Sequence, residues 1–239
     1  MSVVTPSVGT SDAPRLEPGS GRWVTFDCFG TLVDWHNGFA AVVEPMAGER
    51  TADVLREYHR FERLLERDSP HRLYRDVLAE ALARAARSVG VPLTDAEARR
   101  LPESWGRLPV FGDVEPMLAS LRDAGYRLGV LTNCDEDLFD STHRSFLRRF
   151  EVVVTAERVR DYKPAPAHFR YFERLTGVRR NDWVHVACSF YHDVAPAREL
   201  SVRCVWLDRD RTGEDRAAAA AYARGTEEVP AAVKALFLL

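Results

Sequence analysis

Five short apolar runs, rich in β-branched and aromatic residues, follow one another along the chain in the manner of buried parallel strands. They span Trp23–Phe26, Tyr126–Leu131, Val152–Thr155, Trp183–Ala187 and Val202–Leu207. Amphipathic or turn-rich segments of crossover length separate the last four runs. Because alternating strands and helices are typical of doubly wound sheets, the pattern predicts an α/β fold with a Rossmann-like parallel sheet.

Helical patterns fill much of the remaining chain. Four segments carry apolar residues at helical spacing or consist mainly of helix-forming alanine: Asp53–Glu66, Leu73–Val89, Pro116–Ala124 and Ala217–Ala223. Thr94, followed by Glu97 three residues later, has the form of a capping box at the start of another helix.

The gap between the first two predicted strands is far too long for a single crossover. Its pattern is helical throughout, so we expect an all-helical cap domain over residues 36–109. The core domain would then combine residues 22–35 with 110–239. Residues 1–21 are rich in Ser, Thr, Pro and Gly, and we expect them to form a disordered tail.

The amino-acid composition indicates which kinds of partner and which cellular compartment to expect. A net charge of −3 over 239 residues gives no reason to expect nucleic acid or an anionic membrane as partner. No apolar run reaches membrane-spanning length. The four cysteines (28, 134, 188 and 204) lack the spacing of a zinc site, and we expect reduced, mostly buried thiols in a cytoplasmic protein.

The first predicted strand ends in an acid. Val24–Phe26 is followed by Asp27, Cys28 and Phe29 and then by Gly30–Thr31, which has the composition of a tight turn. In a doubly wound fold this places the Asp27 carboxylate at the strand end, where ligands bind. Asp27 could act as a nucleophile that forms a covalent ester. The alternative is that it only caps the turn.

Lysine is scarce in this chain. Of 33 basic residues only Lys163 and Lys234 are lysine, and the other 31 are arginine. Lys163 lies in an Asp-Tyr-Lys-Pro turn. Its compact ammonium group differs from the planar guanidinium that this chain carries at almost every other basic position. We therefore treat Lys163 as a candidate site residue.

The motif Asp27-x-Phe29-Gly30-Thr31-Leu32 resembles the first signature of the haloacid dehalogenase (HAD) superfamily. Phosphatases of that superfamily carry a second Asp, a general acid/base, at the position of Phe29. An aromatic residue there resembles the (S)-2-haloacid dehalogenase branch, type II. The resemblance implies a HAD core with a helical cap that closes over Asp27.

The same resemblance assigns roles to residues that follow the other strands. Thr132 and Lys163 match the second and third motifs, and Asp193 matches the final acid, so these three join Asp27 as expected catalytic residues. The expected substrate-binding residues are Asn133, Arg56, Arg60, Phe29 and Ser189. Phe190 replaces an Asn of the dehalogenase pattern, which leaves the contacts to the hydrolytic water unassigned.

The resulting hypothesis is a hydrolase in which Asp27 displaces halide from a short 2-halocarboxylate, and water then hydrolyses the ester to a 2-hydroxy acid. It requires no cofactor or metal. The alternative is a phosphatase of small phosphoesters in which Asp27 and Asp193 hold Mg²⁺, although Phe29 removes an acid worth roughly 10²–10⁴ in rate. A non-enzymatic member is a third possibility. The helical cap could also support a homodimer.

Overall fold

A computed structural model describes residues 21–68 and 70–239, so the predicted tail lies outside the described residues except for Gly21. Within them the sheet has six parallel strands: β1 Trp23–Phe26, β2 Arg127–Thr132, β3 Val152–Thr155, β4 Trp183–Ala187, β5 Arg203–Leu207 and β6 Ala221–Ala223. The five predicted strands are confirmed with shifts of one residue at some ends, and β6 was missed.

The helix predicted over Ala217–Ala223 is wrong. Arg216–Ala218 forms a short 3₁₀ turn, and Ala221–Ala223 pairs with β5 at the sheet edge. Tyr222 packs its ring edge-on against Trp206 with centroids 5.5 Å apart. Pairing with an exposed edge strand therefore outweighs the helix propensity of the alanines, which is only a weak preference.

The strand order is β3-β2-β1-β4-β5-β6, which confirms the predicted doubly wound sheet. The chain moves outward in one direction from β1 to β3 and in the other from β4 to β6. The point where the order reverses lies beside the carboxyl end of β1, and ligands of open α/β sheets bind at such points. Asp27 is the first residue after β1.

The described residues contain ten α-helices: α1 Trp35–Ala47, α2 Thr51–Leu65, α3 Tyr74–Ser88, α4 Asp95–Glu103, α5 Val114–Asp123, α6 Glu136–His143, α7 Ala156–Val159, α8 Ala167–Thr176, α9 Ala195–Glu199 and α10 Val229–Leu236. The first four, called the inserted helices below, occupy the long gap between β1 and β2. Thr94 and Glu97 form the predicted capping box at the start of α4. That the inserted helices are a separate domain with the predicted boundaries stays a prediction.

Two apolar clusters pack on the sheet. The larger one joins β1 and β2 residues such as Phe26 and Val130 to inserted-helix residues such as Tyr58 and Leu78. The smaller one, which includes Phe169 and Trp206, covers the other face. The inserted helices are thus continuous with the apolar core, which holds them over the carboxyl edge of the sheet.

Two expectations from composition can be compared with the structure. All four cysteine thiols are buried and free. In the part of the chain that the structure describes, no helix has both the length and the apolar character needed to cross a bilayer.

Candidate active site

The Asp27 carboxylate is held by two hydrogen bonds at the switch point of the sheet. Lys163 Nζ donates to Oδ1 at 2.8 Å, and Thr31 Oγ1 donates to Oδ2 at 2.7 Å. The Cys188 N–H in turn donates to Thr31 Oγ1 at 2.9 Å. Asp27 is 7% exposed. One oxygen is thus oriented by Thr31 of the same turn and the other by Lys163, which is 136 residues away in the chain.

The turn after Asp27 depends on Gly30. Its φ is 93°, a left-handed conformation that side chains disfavour, and a Cβ there would lie 2.9 Å from both Cys188 Sγ and Trp35 Nε1. The Gly30 N–H donates to the Val33 carbonyl at 2.8 Å. This N–H group is consequently engaged within the turn itself and does not point to a reacting group.

Lys163 lies between two acids. Besides Asp27, its Nζ donates to Asp193 Oδ1 at 2.7 Å and to the Leu131 carbonyl at 2.9 Å, so all three of its donors are used. Burial lowers the pKa of Lys163, but the Asp193 and Asp27 carboxylates outweigh it, and the net pKa is raised. The ammonium stays charged and compensates both carboxylates.

A buried histidine, which sequence reasoning missed, orients Asp193. His185 Nε2 lies 3.0 Å from Asp193 Oδ1, and His185 Nδ1 lies 2.9 Å from Thr25 Oγ1. Burial raises the pKa of Asp193, but Lys163 and His185 lower it by more than burial raises it. The net pKa is lowered to about 2. His185 lies on β4 with an apolar residue on either side, and nothing in that pattern separates it from a core histidine.

The remaining predicted residues of the sheet edge are held in different ways. Thr132 is fully buried at the end of β2, and its Oγ1 has no hydrogen-bond partner in the described part of the chain. Asn133 brackets the Lys163 backbone, since Oδ1 accepts from the N–H at 2.7 Å and Nδ2 donates to the carbonyl at 3.0 Å. Ser189 Oγ accepts the N–H of His192 at 3.1 Å. Asn133 and Ser189 therefore brace local backbone, although both line the cavity.

A cavity of about 590 Å³ opens above Asp27. The sheet edge forms its floor, and α1, α2 and Trp105 form its walls. Phe29 lies against Trp105 with ring centroids 4.6 Å apart. An apolar surface therefore stands at the position where the phosphatase motif has its second acid. Phe190 packs edge-on against Trp206, with centroids 5.3 Å apart.

Helix α2 and the residue that follows it bring two acidic side chains into this cavity, and sequence reasoning missed both. Glu62 Oε1 accepts the hydroxyls of Tyr58 at 3.0 Å and Tyr74 at 2.6 Å. Glu66, one turn later, accepts from Asn133 Nδ2 at 3.2 Å. The sequence offered a weak signal, because Glu62 and Glu66 are spaced i, i+4 and therefore lie on one side of the helix.

The predicted positions of Arg56 and Arg60 are wrong. Their side chains are 69% and 56% exposed, and they pair with Asp53 and Glu57 on the solvent face of α2. Neither lines the cavity. Arg63, which was not predicted, lines it instead, because the end of α2 lies over the site and its beginning does not. Its guanidinium stands 5.1 Å from the centroid of the Tyr191 ring.

Across residues 21–68 and 70–239, no group of three or more His, Cys, Asp or Glu side chains is arranged to hold a metal ion. Asp27 and Asp193, the two predicted Mg²⁺ ligands of the phosphatase alternative, each give one oxygen to Lys163. Asp193 Oδ2 is buried without a hydrogen-bond partner among the described residues.

Three comparisons place this geometry among known proteins. A family model described as haloacid dehalogenase-like hydrolase matches residues 22–198. Haloacetate dehalogenase H-2 of Moraxella sp. (strain B) is 27% identical over 191 residues, which are 78% of this chain and 85% of that protein. Phosphoserine phosphatase of Thermus thermophilus is 31% identical over 150 residues, 60% of this chain and 56% of that protein.

Among solved structures, the L-2-haloacid dehalogenase RSc1362 superposes with a TM-score of 0.80 at 25% identity. The match covers 90% of this chain and 99% of that chain. The family model spans well over half of the sequence, and it includes the nucleophile turn, the lysine turn and the final acid. The chain therefore belongs to the haloacid dehalogenase-like hydrolases.

Proposed function

We propose that this protein is a 2-haloacid dehalogenase, which converts a short 2-halocarboxylate into a 2-hydroxy acid without a cofactor. The observation that carries the proposal is the pairing of an oriented Asp27 carboxylate with an apolar Phe29–Trp105 wall beside it. A similar protein from Moraxella is named a haloacetate dehalogenase, and a superposable structure is named an L-2-haloacid dehalogenase.

In the first step an Asp27 oxygen attacks C2 of the substrate and forms a C–O bond, while the carbon–halogen bond breaks and the halide leaves with its electron pair. Lys163 and Thr31 hold the carboxylate in one orientation, which removes much of the entropic cost of attack. Halide departs without protonation. Phe29 is therefore compatible with this chemistry, whereas an alkoxide leaving group would need an acid.

The substrate carboxylate is assigned to Arg63. Its guanidinium lines the cavity and forms no ion pair with any described residue, and it lies over the face of the Tyr191 ring. A planar guanidinium binds a carboxylate through two parallel hydrogen bonds. Thr132 Oγ1, which lacks a partner within the described residues, is the second proposed donor to the substrate.

In the second step water attacks the carbonyl carbon of the Asp27 ester, and the 2-hydroxy acid leaves. Lys163 keeps its hydrogen bond to Asp193 and lies beside the reacting carbonyl. It is the nearest full positive charge to the oxygen on which negative charge develops. Asp193 holds this ammonium in place from the opposite side.

The phosphatase alternative has less support from the site. Mg²⁺ would be held by Asp27 and Asp193 with the Phe29 carbonyl, and when bound it would polarise a phosphoryl group. The described residues around the cavity place an aromatic ring where the leaving-group acid belongs. The phosphoserine phosphatase relative matches only 60% of this chain. The proposal also includes a cytoplasmic location and a homodimer.

The deciding experiment is halide release from 2-chloro-, 2-bromo- and 2-fluorocarboxylates by the purified protein in EDTA. We expect turnover with at least one of these substrates and a loss of at least about 10³-fold in Asp27→Asn, because the nucleophile is removed. Phosphate release from a generic phosphoester with added Mg²⁺, with no halide from any substrate, would instead establish the alternative.

A further inference from the structure

The cavity above Asp27 is larger than a short 2-halocarboxylate requires. Chloroacetate has five non-hydrogen atoms, and it fills about 150 Å³ if each atom takes roughly the 30 Å³ that one water molecule occupies in the liquid. The cavity has a volume of about 590 Å³, which is in the range of pockets that enclose much larger ligands. There is consequently room for a substituent on the carbon that Asp27 attacks, and the lining side chains determine which chemistry suits that substituent.

One side of the cavity is formed by four aromatic side chains in contact with one another. Trp35 and Phe39 of α1 have ring centroids 5.0 Å apart, and the Phe39 centroid lies 5.6 Å from that of Trp105. Trp105 lies 4.6 Å from Phe29, which follows the nucleophile by two residues. All four line the cavity and are called the aromatic wall below. The aromatic wall is therefore continuous from the residue beside the nucleophile to Trp35, whose ring lies 3.8 Å from the ring of the half-exposed His36.

Two members of the aromatic wall keep ring surface free for a ligand. Phe39 and Trp105 are each 1% exposed, because they are packed between other side chains. Phe29 and Trp35 are only partly buried, and both line the cavity. A ligand ring that covers them removes apolar surface from water, and aromatic rings packed edge-on also attract one another. The aromatic wall therefore favours an aromatic substituent over a short aliphatic one.

The acidic side chains of the cavity are less suited to a charged substituent. Three of the lining carboxylates already lie beside a histidine ring nitrogen: Asp210 at 3.7 Å from His36, Glu62 at 3.3 Å from His59 and Glu66 at 3.6 Å from His192. They would repel a second carboxylate on the substrate, and an ammonium would compete with the partner that each already has. An uncharged aromatic ring is therefore the substituent that the lining favours.

We propose that the substrates of this enzyme include 2-halocarboxylates that carry an aromatic ring on C3, such as 2-chloro-3-phenylpropionate, an inference that rests on the proposed dehalogenase function. The ring packs on the aromatic wall while Arg63 binds the carboxylate. Asp27 then forms a C–O bond to C2 as the carbon–chlorine bond breaks and chloride leaves with the electron pair. Water cleaves the resulting ester at the Asp27 carbonyl carbon, which releases 2-hydroxy-3-phenylpropionate and one proton.

The first test measures binding without chemistry. Isothermal titration calorimetry compares 3-phenylpropionate with propionate, which have the same carboxylate and carry no halogen to displace. We expect the wild-type protein to bind 3-phenylpropionate at least about tenfold more tightly, because the ring buries apolar surface on the aromatic wall. Trp35→Leu should reduce this preference to about threefold or less, since it removes one ring of the wall. Tyr171→Leu is the matched control and should keep the wild-type preference, because Tyr171 is a partly buried aromatic residue of α8 that does not line the cavity.

The second test follows chloride release from 2-chloro-3-phenylpropionate and from 2-chloropropionate. Both substrates react at a secondary carbon, so the ratio of their kcat/KM values isolates the contribution of the ring. We expect the wild type and Tyr171→Leu to favour the phenyl substrate about tenfold, and Trp35→Leu to lose most of that preference. Each ratio is taken within one protein and does not depend on the fraction that is folded. Phe29→Leu, at the other end of the aromatic wall, carries the same expectation if Trp35→Leu does not fold.

Equal dissociation constants for the two acids in the wild-type protein would overturn the aromatic site, and so would a preference that Trp35→Leu retains in full. Chloride release from 2-chloropropionate but not from 2-chloro-3-phenylpropionate would have the same meaning. Failure of the proposed function is distinguishable, because neither substrate would then release chloride. The calorimetric comparison involves no reaction, so it would still show whether the aromatic wall binds a ring.

Discussion

At the scale of single residues, the site buries charged side chains of opposite sign next to one another. Lys163 is 1% exposed and is matched by the Asp27 and Asp193 carboxylates, so none of the three is an uncompensated buried charge. His168 lies in the same region and is neutral. Its Nε2 donates to the Thr132 carbonyl at 3.1 Å, since a carbonyl only accepts.

The neutrality of His168 predicts a specific dependence of stability on pH. Burial and the nearby Lys163 ammonium lower the pKa of His168 from about 6.5 to about 3. Between these two values the unfolded chain binds a proton that the folded chain does not, so stability falls as pH falls. The slope is about 1.4 kcal/mol per pH unit for one proton.

The measurement is urea unfolding at several pH values from 4.5 to 6.5, with His168→Gln as the variant. Glutamine can donate to the same carbonyl but does not titrate. We expect the variant to have a slope shallower by about one proton. Equal slopes in the two proteins would show that His168 does not bind a proton on unfolding in this range.

At the scale of elements, helix α2 decides which arginine faces the substrate. Arg56 and Arg60 pair with acids three residues before them on the same helix. Arg63 is close to the end of the helix, where α2 overhangs the sheet edge, and it reaches the cavity. Of these three arginines only Arg63 lines the cavity, because only the end of α2 lies over the sheet edge.

We expect Arg63→Gln to raise KM for a 2-halocarboxylate about tenfold or more, because a charge-assisted hydrogen bond to the substrate is worth about 1.5–3 kcal/mol. Arg56→Gln and Arg60→Gln should leave KM within twofold of the wild type. Steady-state halide release measures all three variants. A larger effect at Arg56 than at Arg63 would contradict the assignment.

At the scale of the whole molecule, one side chain of the sheet edge anchors the inserted helices. Asp135, which follows β2 and is fully buried, accepts the backbone N–H groups of Tyr74 at 2.7 Å and Arg75 at 3.0 Å. It also accepts from Arg75 Nε at 3.0 Å. The start of α3, which has no cap from its own Leu73, is therefore capped by a residue from 61 positions away.

We predict that Asp135→Ala lowers the free energy of unfolding by roughly 3 kcal/mol, since it leaves two helix N–H groups and a guanidinium without their buried acceptor. Asp137→Ala is the matched control, because Asp137 also contacts Arg75 but is 61% exposed. Its loss should cost at most about 1 kcal/mol. Urea unfolding compares the two variants, and equal losses would exclude a special anchoring role for Asp135.

Much of the fold was predictable from local pattern, and the failures have physical reasons. Buried parallel strands are short apolar runs, so five of them were found from sequence. The sixth is an alanine-rich edge segment whose conformation depends on pairing with β5. In the site, the motif residues Asp27, Thr132, Lys163 and Asp193 meet because the carboxyl ends of neighbouring parallel strands share one edge.

The doubly wound sheet, the nucleophile turn and the absence of an acid at Phe29 could all be predicted from the amino-acid sequence, because they follow from periodicity and from residue type at fixed spacing. The three-dimensional structure was needed to show that Arg63 and Glu66 line the cavity above Asp27 and that His185 and Lys163 flank Asp193. Those relations join residues far apart in the chain. The positions of Arg63 and Glu66 depend on how the inserted helices pack over the sheet, and the contacts of Asp193 depend on the order of the strands, neither of which a local pattern of hydrophobic and polar residues specifies.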